Sequence, residues 1–166
     1  MNQQAALVTA QNMCTEGITL GQQGKREEAL VQYAAVMSQF SSQHSTAFLK
    51  VLAAAMFNTG TTLAVLDRNE EAVTAYNALI EKFDQDINAE FQLYVVKAMM
   101  NKAYRLNMLL RNDEAIATYE TVITRFGSSK DPETVPYIDS VKSFLTERQA
   151  VLDAREQATR TQSSKT

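Results

Sequence analysis

The sequence predicts an all-α protein built from stacked helical hairpins, and three observations carry that prediction. One segment is written three times at a displacement of 43 residues: EEALVQYAAVMSQF (27–40), EEAVTAYNALIEKF (70–83) and DEAIATYETVITRF (113–126). Within each copy the apolar residues fall three and four apart, as in Ala72, Val73, Tyr76, Leu79, Ile80 and Phe83, which makes one stripe along a helix. Five Gly and two Pro among 166 residues leave too little turn chemistry for a many-stranded sheet.

Upstream of each copy a second helical segment repeats: Met13, Met56 and Met99, then Gly17, Gly60 and Ala103, then Leu20, Leu63 and Leu106. One unit is therefore a longer helix A, a tight turn and a shorter helix B, with units at about 3–40, 45–83 and 88–126. The turns are QQGKR (22–26), LDRNE (66–70) and LRNDE (110–114). Gly24 suits a helix end that needs positive φ. Asp67 or Asn69, and Asn112, offer side-chain oxygens to cap helix B. The acidic pairs Glu27–Glu28, Glu70–Glu71 and Asp113–Glu114 open helix B, where the macrodipole favours negative charge, so they are helix-start residues rather than catalytic carboxylates. The small residues at 17, 60 and 103 are expected to face Ala29, Ala72 and Ala115 and let the two helices approach closely. One Met per unit at a repeating contact reads as core. The linkers SSQHS (41–45) and DQDIN (84–88) are polar, and the third, 127–136, is longer and holds both prolines. After it, Tyr137, Ile138, Val141, Phe144, Leu145 and Leu152 predict a helix at about 136–157 that caps the last hairpin. Residues 158–166 have no apolar period and are expected to be a disordered tail.

At 45% apolar, residues 1–157 suit a single domain with a sizeable core. A net charge of −3, with sixteen scattered Lys and Arg, argues against a nucleic-acid partner. Cys14 is the only cysteine, which rules out an internal disulfide and a cysteine-rich zinc site. No run of 18 consecutive apolar residues predicts a membrane span. MNQQAALVTAQ has neither the basic start nor the apolar core of a secretory signal, so the expected location is cytoplasmic. His44 stands alone in a polar linker, Cys14 lacks a basic neighbour, and no phosphate-cradling loop is present. No catalytic residue, cofactor or metal site is expected, and the chain does not read as an enzyme.

The order small residue, Leu, Ala, Tyr in GTTLAVLDRNEEAVTAY (60–76) resembles the tetratricopeptide repeat, over about residues 5–126. The chain departs from that family in its period, 43 against about 34, in Met for Trp, in polar Glu16, Thr59 and Lys102 where Leu is typical, and in lacking the closing Pro. Longer A helices, roughly 45–66 and 88–109, would absorb nine extra residues as about 13 Å of helix.

The resemblance implies a right-handed superhelix with a concave face lined by the A helices, where a peptide or partner helix binds. Carried onto this chain, that face selects Gln11, Cys14, Ile18 and Gln22 from the first unit. The second contributes Ala54, Phe57, Asn58, Thr61 and Val65, and the third Lys97, Met100, Asn101, Tyr104 and Met108. Cys14, Ile18, Phe57, Val65, Met100, Tyr104 and Met108 form an apolar strip, bordered by amides and Lys97, that suits an amphipathic helix or an extended apolar segment. Packing of the strip between the longer A helices is the competing reading. Some family members clamp a C-terminal carboxylate on this face; Asn58 and Lys97 match that clamp, while Cys14, Ile18 and Asn101 depart from it. The implied function is a noncatalytic protein–protein interaction module, an adaptor or scaffold. The alternatives are a secretion-type chaperone shielding an apolar client segment and a self-associating structural subunit. In each case the partner is a protein or peptide, not a nucleic acid or a membrane.

Overall fold

The computed structural model describes residues 2–86 and 88–163. Within them lie seven helices and no strand: α1 (Gln3–Gln22), α2 (Arg26–Phe40), α3 (Thr46–Val65), α4 (Asn69–Phe83), α5 (Ala89–Met108), α6 (Asn112–Phe126) and α7 (Val135–Ser163). The first six form three hairpins, each a 20-residue helix, a three-residue turn and a 15-residue helix. Asn2 and Asn88 open α1 and α5 with side-chain caps, accepting from Ala5 N–H (2.8 Å) and Glu90 N–H (3.0 Å).

The turns are closed by backbone rather than by the caps expected at Asp67, Asn69 and Asn112. In the second hairpin Asp67 N–H bonds Ala64 O (3.2 Å) and Arg68 N–H bonds Leu63 O (3.0 Å). Gly24 with Lys25, and Leu110 with Arg111, repeat this pair of bonds onto α1 and α5. Such a reversal needs one left-handed residue. Gly24 (φ 81°), Asp67 (φ 58°) and Leu110 (φ 60°) fill that position, and only the first is the residue that adopts it freely. Lys25, Arg68 and Arg111 then precede the B helices without any side-chain cap. Asn69 Nδ2 turns back and donates to Asp67 Oδ1 (2.7 Å).

These basic residues work outward instead. Arg68 donates from Nε and Nη2 to the two oxygens of Glu71 (2.7 and 2.6 Å), and its Nη1 reaches Glu27 of the preceding hairpin at 3.1 Å. Arg111 repeats the arrangement with Glu114 (2.6 and 2.7 Å) and Glu70 (2.9 Å). Exposed pairs of this kind contribute little stability each. Through Nη1 each arginine ties its own hairpin to the preceding one along one edge.

The repeated columns make the core. Ala29, Ala72 and Ala115 are buried, as are Tyr33, Tyr76 and Tyr119 and the closing Phe40, Phe83 and Phe126. Phe40 stacks on Phe48 (5.7 Å between centroids) and Phe83 on Phe91 (5.0 Å), so α2 and α4 each hand their last aromatic to the next A helix. Burying one such ring fully contributes about 1.5–3 kcal/mol. The glycine column does not face the alanine column as expected. A Cβ on Gly17 would lie 2.5 Å from Tyr33 Cε1, and one on Gly60 2.5 Å from Tyr76 Cε1. The tyrosine ring is what demands a bare backbone. Of the methionines expected in the core, Met99 is buried, while Met13 and Met56 are half-buried. The buried residues divide into two clusters. One surrounds α1 and α2 and takes Phe48 and Ala55 from α3; the other holds Ala53 and Leu63 of α3 with α4 to α7.

Helix α3 is the one described helix long and apolar enough to cross a membrane; here it packs against α1, α2, α4 and α5. Helix α7 lies on α6 and α5, burying Ile138 and Val141, and Phe144 meets the Tyr119 ring at 4.8 Å. Asp131 prepares its start by accepting from the Thr134 N–H (3.0 Å) and hydroxyl. The helix then continues to Ser163, past residue 158 where a structureless tail is expected; 164–166 lie outside the described residues. The segment DAREQATRTQS (153–163) is rich in good helix formers, and extending an existing helix needs no new nucleus.

Candidate partner-binding groove

Neighbour relations identify the inner face. Among the described residues α1 touches α3, α3 touches α5 and α5 touches α7, whereas α2, α4 and α6 do not touch one another. The A helices are therefore the closer, inner layer, and the stack curves around them. Residues three, four and seven apart on these helices share the inner surface.

Two openings lie on that surface. One, of about 250 Å³, sits between α1 and α3 and is lined by Ile18, Gln22, Asn58, Thr61 and Val65, with Arg26 and Tyr33 from α2. The other, of about 290 Å³, is lined by Phe57, Lys97, Met100, Asn101 and Tyr137. Tyr104 and Met108 extend the surface along α5 with 51% and 54% of their area exposed. Tyr104 is backed by the Arg105 guanidinium, 4.4 Å from its ring centroid. Of the residues selected from the sequence, Cys14 is misplaced. It is 6% exposed and belongs to the first core cluster with Ala10 and Tyr33, against which Val51 and Ala54 of α3 also pack. Burial pushes its thiol pKa up, so it offers neither groove surface nor a reactive thiolate.

Hydrogen bonds hold the floor. Asn101 Nδ2 donates to the Tyr76 hydroxyl (3.3 Å), which lies 3.3 Å from Thr61 Oγ1. The Thr61 hydroxyl donates to Phe57 O (3.1 Å), which leaves Tyr76 to donate to Thr61. This chain joins α5, α4 and α3 beneath the groove. Burial raises the Tyr76 pKa, against the opposing effect of its two hydrogen bonds, and pushes that of Tyr33 to about 12. Both are neutral phenols at physiological pH.

Lys97 places Nζ 5.2 Å from the centroid of the Tyr137 ring. Tyr137 and Tyr94 are groove residues that the sequence reasoning missed. Tyr94 meets Phe57 edge-on at 5.8 Å, and its position three before Lys97 and seven before Asn101 was the available signal. Tyr137 stands 43 residues after Tyr94, in the same column of the fourth A helix, and that spacing was its signal. Phe57 is half-buried between Tyr76 (6.1 Å) and Tyr94.

The groove is thus an apolar and aromatic surface with amides and the cations of Arg26, Lys97 and Arg105 at its edge. Among the described residues no group of three or more His, Cys, Asp or Glu could hold a metal ion. No curated protein matches the chain by sequence. Residues 54–86 match the family model of the tetratricopeptide repeat. The match takes in the second half of α3 and all of α4, leaving residues 46–53, roughly two turns, outside it. Tetratricopeptide repeats are in general noncatalytic modules of protein–protein interaction. The match lies at the centre of the all-α stack and supports a protein partner.

Proposed function

We propose that α1 to α7 act as one unit, an adaptor or scaffold that binds a partner's amphipathic helix or extended apolar segment along the inner face. The observation that carries this reading is the run of exposed or half-exposed apolar side chains across three successive A helices: Ile18, Val65 and Phe57, then Met100, Tyr104 and Met108. Apolar side chains repeated along neighbouring helices are what a helix or strand laid across them engages. Lys97 already covers the Tyr137 ring, and Asn101 already serves Tyr76. A carboxylate clamp would have to draw Lys97 off that ring, and Asn101, which departs from the clamp, supplies no second charge, so the apolar reading is favoured.

Co-purification followed by mass spectrometry, repeated with Tyr104→Ala, tests the proposal. Tyr104 is half exposed and outside both core clusters, so the variant should keep its fold. Aromatic anchors at an interface are worth about 2 kcal/mol or more, roughly thirtyfold in affinity. A partner retained undiminished by Tyr104→Ala and by Val65→Asp would place binding elsewhere. Recovery of one exported client would instead favour a chaperone, and recovery of the chain alone would favour self-association.

A further inference from the structure

We propose that the gap between α2 and α4, on the outer side of the stack, is a second binding site that takes one lysine side chain from a partner protein. The argument comes from comparing two equivalent places in the repeat. The gap between α4 and α6 has a volume of about 260 Å³ and is lined by Ile80, Met99 and Lys102 among others. The gap between α2 and α4 is larger, about 360 Å³, and has Met37, Met56 and Thr59 at the corresponding positions. Its remaining walls include Leu63, Ala75 and Ala78. The Thr59 hydroxyl is turned back onto Ala55 O (2.9 Å), which leaves its methyl group toward the gap.

The two gaps share a methionine, Met56 or Met99, but the first has Ala75 and Ala78 where the second has Thr118 and Thr121, and Thr59 where the second has Lys102. In the α4–α6 gap, Lys102 of the chain itself lies half-buried along the wall. Burial draws its ammonium pKa down, the Glu114 carboxylate opposes that shift, and the Arg111 guanidinium adds to it. Glu114 is in turn held low first by Arg111, with Lys102 contributing. In the α2–α4 gap, Glu71 stands where Glu114 does, gripped by Arg68 as Glu114 is by Arg111. The apolar trough and the acid are both present, and the lysine is replaced by threonine. An unbranched aliphatic stem ending in a cation matches both features, because the stem lies along apolar walls while its head stays at the wet, acidic rim. This site lies across the A-helix layer from the inner groove, so it stands or fails independently of the function proposed above.

The probe is n-pentylammonium, a lysine side chain without its backbone, with 1-pentanol as the uncharged control. Methyl resonances of isotopically labelled methionine in the full chain report the site, because Met37 and Met56 line this gap and Met99 lines the other. Pentylammonium should shift Met37 and Met56 saturably and leave Met99 and Met100 in place. An exposed ion pair contributes a small factor, so pentanol should bind about 1.5- to fivefold more weakly. Glu71→Gln should remove that difference. Thr59→Lys, which fills this gap as Lys102 lines the other, should abolish the shifts, with unmoved Met99 and Met100 resonances showing that the fold is intact. Three results would overturn the proposal: no shift at Met37 and Met56, a response surviving in Thr59→Lys, or pentanol binding as tightly as pentylammonium.

Discussion

Gly60→Ala puts the packing argument at greatest risk, because two effects of similar size oppose each other. In an isolated helix the change would stabilise by about 1 kcal/mol, since glycine is that much poorer than alanine as a helix former. In this protein the new Cβ would lie 2.5 Å from Tyr76 Cε1 and 2.8 Å from both Cδ1 and Cζ. No tip of a flexible chain is involved. The ring is buried, packed beside Phe57, and tethered through its hydroxyl to Thr61 and Asn101. Overpacking of this kind costs about 1–3 kcal/mol, and disturbing either hydrogen bond adds about 0.5–1.5 kcal/mol. The net expectation is a loss of about 1–3 kcal/mol, or roughly 3–10 °C in melting temperature for a chain of this size. Gly21→Ala is the matched control. Its Cβ would meet nothing nearer than Ala29 Cβ at 4.0 Å, so only the helix term operates and the variant should gain stability. Urea midpoints of the two variants decide the matter. If both gain stability, the tyrosine is free to move and the glycine column has no packing role.

Three further outcomes follow from the geometry. Leu110 is 84% exposed with φ 60°, so Leu110→Gly should relieve left-handed strain of about 1–2 kcal/mol and stabilise despite glycine's greater freedom when unfolded, whereas Asp67→Gly, which loses the bond to Asn69, should gain less by thermal melting. Glu71 and Glu114 sit below their ordinary pKa of 4.5, chiefly through the hydrogen bonds from Arg68 and Arg111. Their contribution is complete above that ordinary value and is lost as pH falls through the depressed one, so a melting series from pH 6 to pH 3 should fall less steeply in the Arg68→Gln, Arg111→Gln double variant; an unchanged slope refutes the linkage. Truncation after Lys130 removes buried Ile138 and Val141, at about 1.5–3 kcal/mol each, and should lower the urea midpoint markedly, while truncation after Gln157 should leave it nearly unchanged.

The hairpins were legible because each unit repeats its apolar columns, and a column that recurs at fixed spacing must meet the same environment each time. What repetition does not reveal is which columns face each other. Glycine was paired with alanine on size alone, whereas its partner is the tyrosine ring. The third unit shows the same dependence. Ala103 stands in the glycine's place, and Tyr119 packs against Phe144 of α7, where a further complete unit would supply an asparagine. Gly24 was read correctly as the left-handed residue of the first turn, but the second and third turns were misread, because polar side chains announce themselves in a sequence while a left-handed backbone at Leu110 leaves no mark. Cys14 was assigned to the groove by column, yet its column holds residues of very different size: Cys14, Phe57 and Met100. A short side chain is covered by the neighbouring helix where a long one emerges.

The division of the buried residues into two clusters gives the two halves of the groove different mechanics. Helix α3 is a wall common to both, so loosening α1 and α2 leaves the second cluster roofed. The second joint has additional ties, Lys50 to Glu90 and Arg125 to Asp84, each at 2.6 Å. The positions corresponding to the second pair at the first joint are Lys82 and Ser41, and Ser41 carries no charge to match. Segments with fewer ties open at lower free energy, so amide protons of α1 and α2 should exchange before those of α4 and α5. On that expectation the opening lined by Ile18 and Val65 would be the compliant jaw of the proposed groove, and the one lined by Phe57 and Lys97 its anvil. A partner would be gripped first at the rigid end and fitted second at the compliant one, which lets one groove accept segments that differ in girth at a single end.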